Sequence, residues 1–210
     1  MTKVQTPPGP FGIVLAAGAS TRFGRPKQVA VFRNETLLAR AHKTASALFG
    51  NRHLFVAGAH LAPVIKDLLN NRSNVVVNPD WANGPGASLA HAVKMLPAHC
   101  TGFLVWHADQ PLISSADLST ILAVATARPT DCACASYEKT IGVPAYFPQR
   151  LFGRLTALSP EHGAKQLLIE EKQTTRIPMP AAAFDVDFPA DLQAIAAANP
   201  AADDGSSIDR

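Results

Sequence analysis

Cysteine is scarce in this chain: 210 residues hold three, Cys100, Cys132 and Cys134. An odd count without framework spacing excludes a secreted disulfide scaffold. Cys132-Ala133-Cys134 is one residue short of the C-x-x-C spacing of metal and redox sites. On a strand both thiols would share one face, where they serve as small apolar side chains. Long apolar runs are missing as well. No stretch approaches the ~18 residues of a membrane span, and Met1 to Pro10 holds no apolar segment of the secretory kind. Charge is thin, at 17% of residues against the usual quarter or so, which excludes a coiled coil and a highly charged disordered chain. Nor is the charge concentrated. Nineteen Lys and Arg against sixteen Asp and Glu leave +3, with no basic run interleaved with aromatics. A nucleic-acid binder usually carries a basic stripe, so neither nucleic acid nor membrane is an expected partner. The expected setting is the cytoplasm, and the expected partner of the cations is a phosphorylated small molecule.

What is present is an apolar fraction of 47%, enough for a sizeable core in a chain that can bury roughly 70% of its unfolded surface. The expected organisation is one domain over residues 11–198, between disordered ends at 1–10 (Pro-rich) and 199–210 (small, polar and acidic). Apolar runs and helical periodicities alternate. Phe11 to Leu15, Leu54 to Ala57, Val75 to Val77 and Phe103 to Trp106 read as buried strands. Between them, Thr36 to Phe49, Ala62 to Leu69 and Ser88 to Leu96 read as helices, and Ser115 to Ala127 follows with Ser114 or Ser115 as its cap. Cys132 to Glu138 and Ile141 to Phe147 read as strands joined around Lys139-Thr140. Helices near Gln149–Leu158 and Gly163–Glu170 follow, then candidate strands Thr174 to Ile177 and Phe184 to Val186, and a final helix from Pro189 to Ala197. Strand–helix alternation with short connections implies right-handed crossovers and a doubly wound, mostly parallel α/β sheet. Ligands of such sheets bind beyond the carboxyl ends of the strands.

Two of those ends are unusual. After the first strand comes Leu15-Ala16-Ala17-Gly18-Ala19-Ser20-Thr21-Arg22-Phe23-Gly24-Arg25-Pro26-Lys27-Gln28. It is neither a Walker A loop nor a dinucleotide fingerprint, because five residues separate the glycines and no Gly-Lys-Ser/Thr follows. Small residues at Ala16, Ala17 and Gly18 let backbone amides approach a ligand, and successive amides make an anion nest. Arg22 and Lys27 add one bidentate cation and one point cation. Phosphate binding explains this coincidence better than a glycine turn with two solvated cations. The second unusual end is Asp109-Gln110-Pro111. A carboxylate there suits Mg²⁺, which takes one or two carboxylates plus substrate phosphates; capping a turn before proline is the other reading. Asp185 and Asp187 are i and i+2, so on a strand they would share a face. Paired carboxylates call for a cation, and Asp187, then Asp185, is the expected second metal ligand beside Asp109. One of the pair as cap of the Pro189 helix is the alternative. Asp191 reads as a first-turn dipole residue. Trp81 is either a pocket wall or a core residue.

With these residues in view, Leu15 to Lys27 resembles the signature loop of MobA-like nucleotidyltransferases, a branch of the GT-A-like nucleotide-diphospho-sugar transferase (Rossmann-like) fold. Within it the resemblance is nearest the molybdenum cofactor cytidylyltransferase branch. It runs from about Gly12 to Ala197. Gly84-Pro85-Gly86-Ala87-Ser88-Leu89 is similar to the family's second glycine loop, Asp109-Gln110-Pro111 to its metal-binding Asp-x-Pro, and Gly142 to Phe147 to the strand facing the second substrate. Gly163 to Leu168 resembles its Gly-Ala-Arg-x-Leu-Leu helix, with Lys165 where Arg is usual. Asp185 to Leu192 resembles its closing Asp-x-Asp-Thr-Pro-x-Asp-Leu, with Phe188 where Thr is usual. Ala17 matches the cytidylyl rather than the guanylyl branch, which usually has Gly.

The resemblance implies an enzyme that moves a nucleoside monophosphate, CMP from CTP, to a phosphorylated acceptor, molybdopterin or molybdenum cofactor, with Mg²⁺ and release of pyrophosphate. It implies Arg22 and Lys27 as catalytic cations, and Leu15, Ala16, Ala17, Gly18, Ala19, Ser20, Gly84, Gly86, Ala87, Ser88 and Asp109 as nucleotide-binding. Gly142, Pro144, Gly163 and Lys165 would bind the acceptor, and Asp109, Asp187 and Asp185 the metal. A molybdoenzyme client would be a further partner. A sugar phosphate, phospholactate or methylerythritol phosphate as acceptor, or a non-catalytic role in cofactor delivery, stand as alternatives. His107 and His162 carry no role over from the resemblance.

Overall fold

The computed structural model describes residues 7–70, 74–158 and 163–199. In chain order the strands are β1 (Gly9–Ala16), β2 (Val31–Phe32), β3 (Glu35–Thr36), β4 (His53–Ala57), β5 (Val75–Val77), β6 (Cys100–His107), β7 (Cys132–Tyr137), β8 (Thr140–Pro148) and β9 (Thr174–Pro178). The helices are α1 (Leu37–Phe49), α2 (Leu61–Asn70), α3 (Pro85–Lys94), α4 (Ser115–Ala127), α5 (Phe152–Thr156), α6 (Lys165–Glu170) and α7 (Pro189–Ala198). Among the described residues seven strands form one sheet in the order β5-β4-β1-β6-β8-β7-β9. Every neighbouring pair is parallel except the two made by β8, which is antiparallel to both β6 and β7. This is the doubly wound, mostly parallel sheet expected from the alternation.

The central strands are buried on both faces, and successive residues serve opposite cores. Val14, Phe55, Leu104 and Trp106 pack with α1, α2 and α4 residues such as Leu38, Leu68, Leu118 and Ile121. Ile13, Val56, Phe103 and Val105 pack on the other side with Leu89, Val93, Leu155 and Leu168. That side also takes Cys132 and Cys134, both fully buried. Burial pushes their thiols up to about 12 and 11, so they stay protonated and inert, as the shared strand face suggested. A third, smaller cluster joins Phe23, Phe32 and Leu37 to Val186 and Ile195. It fastens the loop after β1 to the last segment of the fold, although the two are over 150 residues apart in sequence.

Local signals fall mostly where expected. Thr36 caps α1 by accepting from Ala39 N at 3.0 Å, and Gly50 ends it with φ +54°. Ser114, not Ser115, caps α4, and Asp117 Oδ2 accepts from Ser114 N at 2.9 Å. Several boundaries move by a few residues, and three differences bear on the ends of the fold and on the site. β1 begins at Gly9, inside the stretch expected to be disordered; residues 1–6 and 200–210 lie outside the described residues. α3 begins at Pro85 rather than Ser88: Gly84 reaches φ +114°, open to glycine without strain, and Pro85 takes the first helical position. The glycine segment is therefore the first turn of a helix. Phe184 to Val186 is not a strand. Val186 is buried with Phe23 and Phe32, which carries this segment across the sheet edge rather than along it; Val186 N donates to Asp109 O at 2.9 Å and Val186 O accepts from Lys27 Nζ at 2.7 Å.

Candidate active site

The loop after β1 lies against the ends of β4 and β6. Ala59 N donates to Ala17 O at 3.1 Å, and Ala108 N to Leu15 O at 3.0 Å. Its shape depends on a residue to which the sequence assigned no role. Gln28 is 3% exposed; its Nε2 donates to Ala16 O and Gly18 O at 3.2 and 2.8 Å. Its Oε1 accepts from Ser20 Oγ at 3.2 Å, which itself accepts from Lys27 N at 3.2 Å. The Ser20 hydroxyl is thus bonded inside the loop, and Ser20 itself stands at φ +54°. His60 Nε2 donates to Ala19 O at 2.7 Å. Among the described residues, nothing beyond its own chain neighbours stands within 4 Å of the place a Gly18 Cβ would take, so that side of the backbone is open to a ligand.

Beside the loop is a cleft of about 340 Å³ lined by Leu15, Ala17, Gly18 and Ala19, by Trp81, Ala82, Gly84, Pro85 and Ser88, and by His107 and Asp109. It has the size of a small-molecule site and opens where the fold class places ligands. Trp81 is both wall and packing residue. A Cβ on Gly58 would come within 2.5 Å of the Trp81 Cβ and 2.8 Å of the Ala17 Cβ, so only glycine lets that turn close on the loop. Ser88 is buried and its Oγ accepts from the buried Asn78 Nδ2 at 3.1 Å. The first amides of α3, at Gly86 and Ala87, have no partner inside the helix and favour anions.

At the rim the charges converge. Lys27 Nζ lies 2.6 Å from Asp109 Oδ2 and 3.1 Å from Asp187 Oδ1, and donates to Val186 O at 2.7 Å. Burial alone would lower its pKa; the Asp109 charge and hydrogen bonds to Asp109 and Asp187 outweigh that and hold the ammonium above the ordinary lysine value. Arg22 is more exposed and pairs with Asp187 Oδ2 at 2.6 Å. On the other flank, ligating atoms of His107, Asp109 and Asp185 lie within 4.8 Å of one another. The two last carboxylates therefore divide. Asp185 joins Asp109, whereas Asp187, the first choice for the metal, pairs with the cations. Asp191 steadies this segment, its Oδ2 accepting from Asp187 N at 2.8 Å and Phe188 N at 2.7 Å. Gln110, also buried, accepts from His107 N at 3.2 Å and donates to Ala182 O at 3.2 Å.

Residues 12–175 match the MobA-like NTP transferase domain. The chain belongs to that family. It is 27% identical over 166 residues to the purine catabolism protein PucB of Bacillus subtilis, covering 75% of this chain and 80% of PucB. It is similar to the crystal structure of Rv0371c from Mycobacterium tuberculosis H37Rv, with 28% identity, TM-score 0.78, and 91% and 98% of the two chains covered. A complex of Rv0371c with manganese matches at 25% identity and TM-score 0.74, over 91% and 98% of the chains. The fold and the nucleotidyltransferase class thus rest on family membership as well as on the sheet.

A divalent cation fits the site of this MobA-like chain. Asp109 Oδ1 is buried with no hydrogen-bond partner, the state of a carboxylate oxygen reserved for a cation. Asp185 is exposed as a residue and lines a neighbouring hollow with Asp187 and Phe188, but one carboxylate oxygen comes within 4.8 Å of the His107 and Asp109 ligating atoms. Lost solvation first, then the Asp109 charge, pushes its pKa up to about 6. A raised folded-state pKa favours the fold while the group is protonated, and that benefit is lost as the pH rises through 6. Asp185→Asn is therefore expected to melt higher than the parent at pH 7.5 in chelator, with the gap narrowing from pH 6 toward pH 4. Thermal melts across that range check it.

The residues expected at the acceptor come from β8 and from the start of α6, two elements that pack together. Lys165 Nζ donates to Thr140 Oγ1 at 2.6 Å and lines a separate cleft of about 590 Å³ with Tyr137, Lys139 and Arg176. Gly142 and Pro144 lie within β8, and Gly163 precedes α6. His162 lies outside the described residues. No helix among the described residues is long and apolar enough to cross a membrane.

Proposed function

We propose that the chain transfers CMP from CTP to a phosphorylated acceptor, the molybdenum cofactor or its molybdopterin, releasing pyrophosphate in the cytoplasm. The observation that carries this reading is Lys27 held between Asp109 and Asp187 at the mouth of the cleft beside Gly18. Base and ribose would lie between the Ala16–Ser20 loop and the Gly84–Ser88 turn. The triphosphate would reach Lys27 and Arg22, taking Asp187's place beside Arg22. Asp109 and Asp185 would hold Mg²⁺, which supplies Lewis-acid charge and orients the phosphates. An acceptor phosphate oxygen is already ionised, so positioning and charge neutralisation suffice and no general base is needed. Another phosphorylated acceptor (a sugar phosphate, phospholactate or methylerythritol phosphate) or delivery of a finished cofactor to a molybdoenzyme client are the readings it competes with. The intact set of Lys27, Asp109 and Asp185 favours catalysis over delivery alone. Neither nucleic acid nor membrane has a place in this scheme.

The donor assignment rests on Ala17, whose methyl takes space at the cleft wall where guanylyl relatives usually have glycine. CTP is expected to be preferred over GTP in single-turnover titrations with molybdenum cofactor as acceptor. A clear preference for GTP would overturn the cytidylyl assignment and leave the site geometry standing.

A further inference from the structure

Asp109 uses its two oxygens differently. Oδ2 is taken by Lys27 at 2.6 Å, whereas Oδ1 is buried and has no hydrogen-bond partner. The group facing Oδ1 is not a second cation but the imidazole of His107, with Nδ1 at 3.9 Å. His107 closes β6 and stands in register with Leu15 of β1. Its backbone N donates to Gln110 Oε1 at 3.2 Å, and Gln110 is itself buried. The ring therefore projects from a rigid strand end into the same cleft as Asp109. With Asp185 the three offer one imidazole nitrogen and two carboxylate oxygens, their ligating atoms within 4.8 Å of one another. Ligands of one ion at about 2.0–2.2 Å stand about 3 Å apart when adjacent and about 4.4 Å apart when opposite, so a bound ion would draw these three groups closer.

We propose that His107 is a metal ligand, completing a one-histidine, two-carboxylate set with Asp109 and Asp185 that takes a first-row transition ion such as Mn²⁺ or Co²⁺ in preference to Mg²⁺. The chemistry follows from the donor types. Mg²⁺ is hard, keeps its waters and prefers oxygen throughout. An imidazole nitrogen gains most with borderline ions, whose affinities rise from Mn²⁺ through Fe²⁺ to Co²⁺ and beyond. Three protein donors would leave further positions of the ion for phosphate oxygens of a nucleotide. This inference rests on the proposed metal-dependent transfer, but its test needs no turnover.

The test is metal binding to the full chain without nucleotide. Pulsed electron paramagnetic resonance of the Mn²⁺-loaded parent is expected to show modulation from a directly bound ¹⁴N, and His107→Gln to abolish it. Calorimetric titration is expected to give Co²⁺ at least about tenfold tighter than Mg²⁺ in the parent. His107→Gln should lower Co²⁺ affinity by about tenfold or more and change Mg²⁺ affinity by less than about threefold. A parent spectrum without ¹⁴N modulation overturns the proposal, and so does an equal fall of both affinities in His107→Gln. The parent spectrum stands whether or not the variant folds, and a thermal melt reports the variant's fold. Transfer assayed separately with Mg²⁺ tells loss of the nitrogen ligand from failure of the nucleotidyltransferase reading.

Discussion

Lys27→Ala is expected to lower kcat for nucleotidyl transfer by about 10²–10³, the usual effect of removing one preorganised electrostatic donor. Three acceptor groups surround this ammonium: Asp109, Asp187 and the Val186 carbonyl. They fix its position before substrate arrives, so little reorganisation is left for the moment when charge develops on the phosphates. Lys27 is also far less exposed than Arg22, with side-chain exposures of 13% and 65%. Field from the buried cation is screened less. Arg22→Ala should mainly raise KM, as an exposed bidentate grip on the triphosphate is lost. Arg22→Lys should restore part of it, because an ammonium lacks the planar fork. Steady-state kinetics of the three variants check the contrast. Both alanine variants staying within about twofold of the parent, ~0.4 kcal/mol, would reduce the loop to a solvated turn.

Asp109→Ala is expected to remove metal-dependent transfer and leave the fold standing. Its side chain supplies the orphaned Oδ1 and the closest counter-ion of Lys27. Loss of a Lewis acid withdraws several kcal/mol from the transition state, on the order of 10³ or more in rate. The structural bond made by this residue is a backbone one, Asp109 O accepting from Val186 N at 2.9 Å, and survives the substitution. Pyrophosphate release measured beside a thermal melt separates the effects. Near-parental turnover would remove Asp109 from the metal site. A large fall in melting temperature would make its role structural.

Much of this arrangement is legible in the sequence because local pattern and global fold agree. Continuous apolar runs such as Phe103 to Trp106 are what a strand covered on both faces requires, and Thr36 and Gly50 mark the ends of α1 through their own side-chain and backbone preferences. The clustered cations and glycines after β1 point to the same sheet edge as Asp109. What stayed hidden depends on contacts between distant segments. Phe184 to Val186 has strand-like composition, yet it crosses the sheet edge because Val186 is buried against Phe23 and Phe32. That placement turns Asp185 and Asp187 to different neighbours, which i, i+2 spacing alone does not convey. Gln28, Asn78 and Gln110 act by bonding to backbone or to other buried groups. A polar residue of that kind has the same local signature as a surface one. Gly58 carried a signal, an isolated glycine directly after an apolar strand, but its partners Ala17 and Trp81 come from two other loops.

Coupling between pyrophosphate release and acceptor tests the central claim most directly. The full chain is mixed with CTP, a divalent cation and molybdenum cofactor; pyrophosphate is followed continuously and the products are weighed by mass spectrometry. The expected result is one pyrophosphate for each acceptor that gains the mass of CMP, with no release when the acceptor or the metal is omitted. Pyrophosphate formed at the same rate without acceptor, or none formed with any phosphorylated acceptor and nucleoside triphosphate, would contradict it.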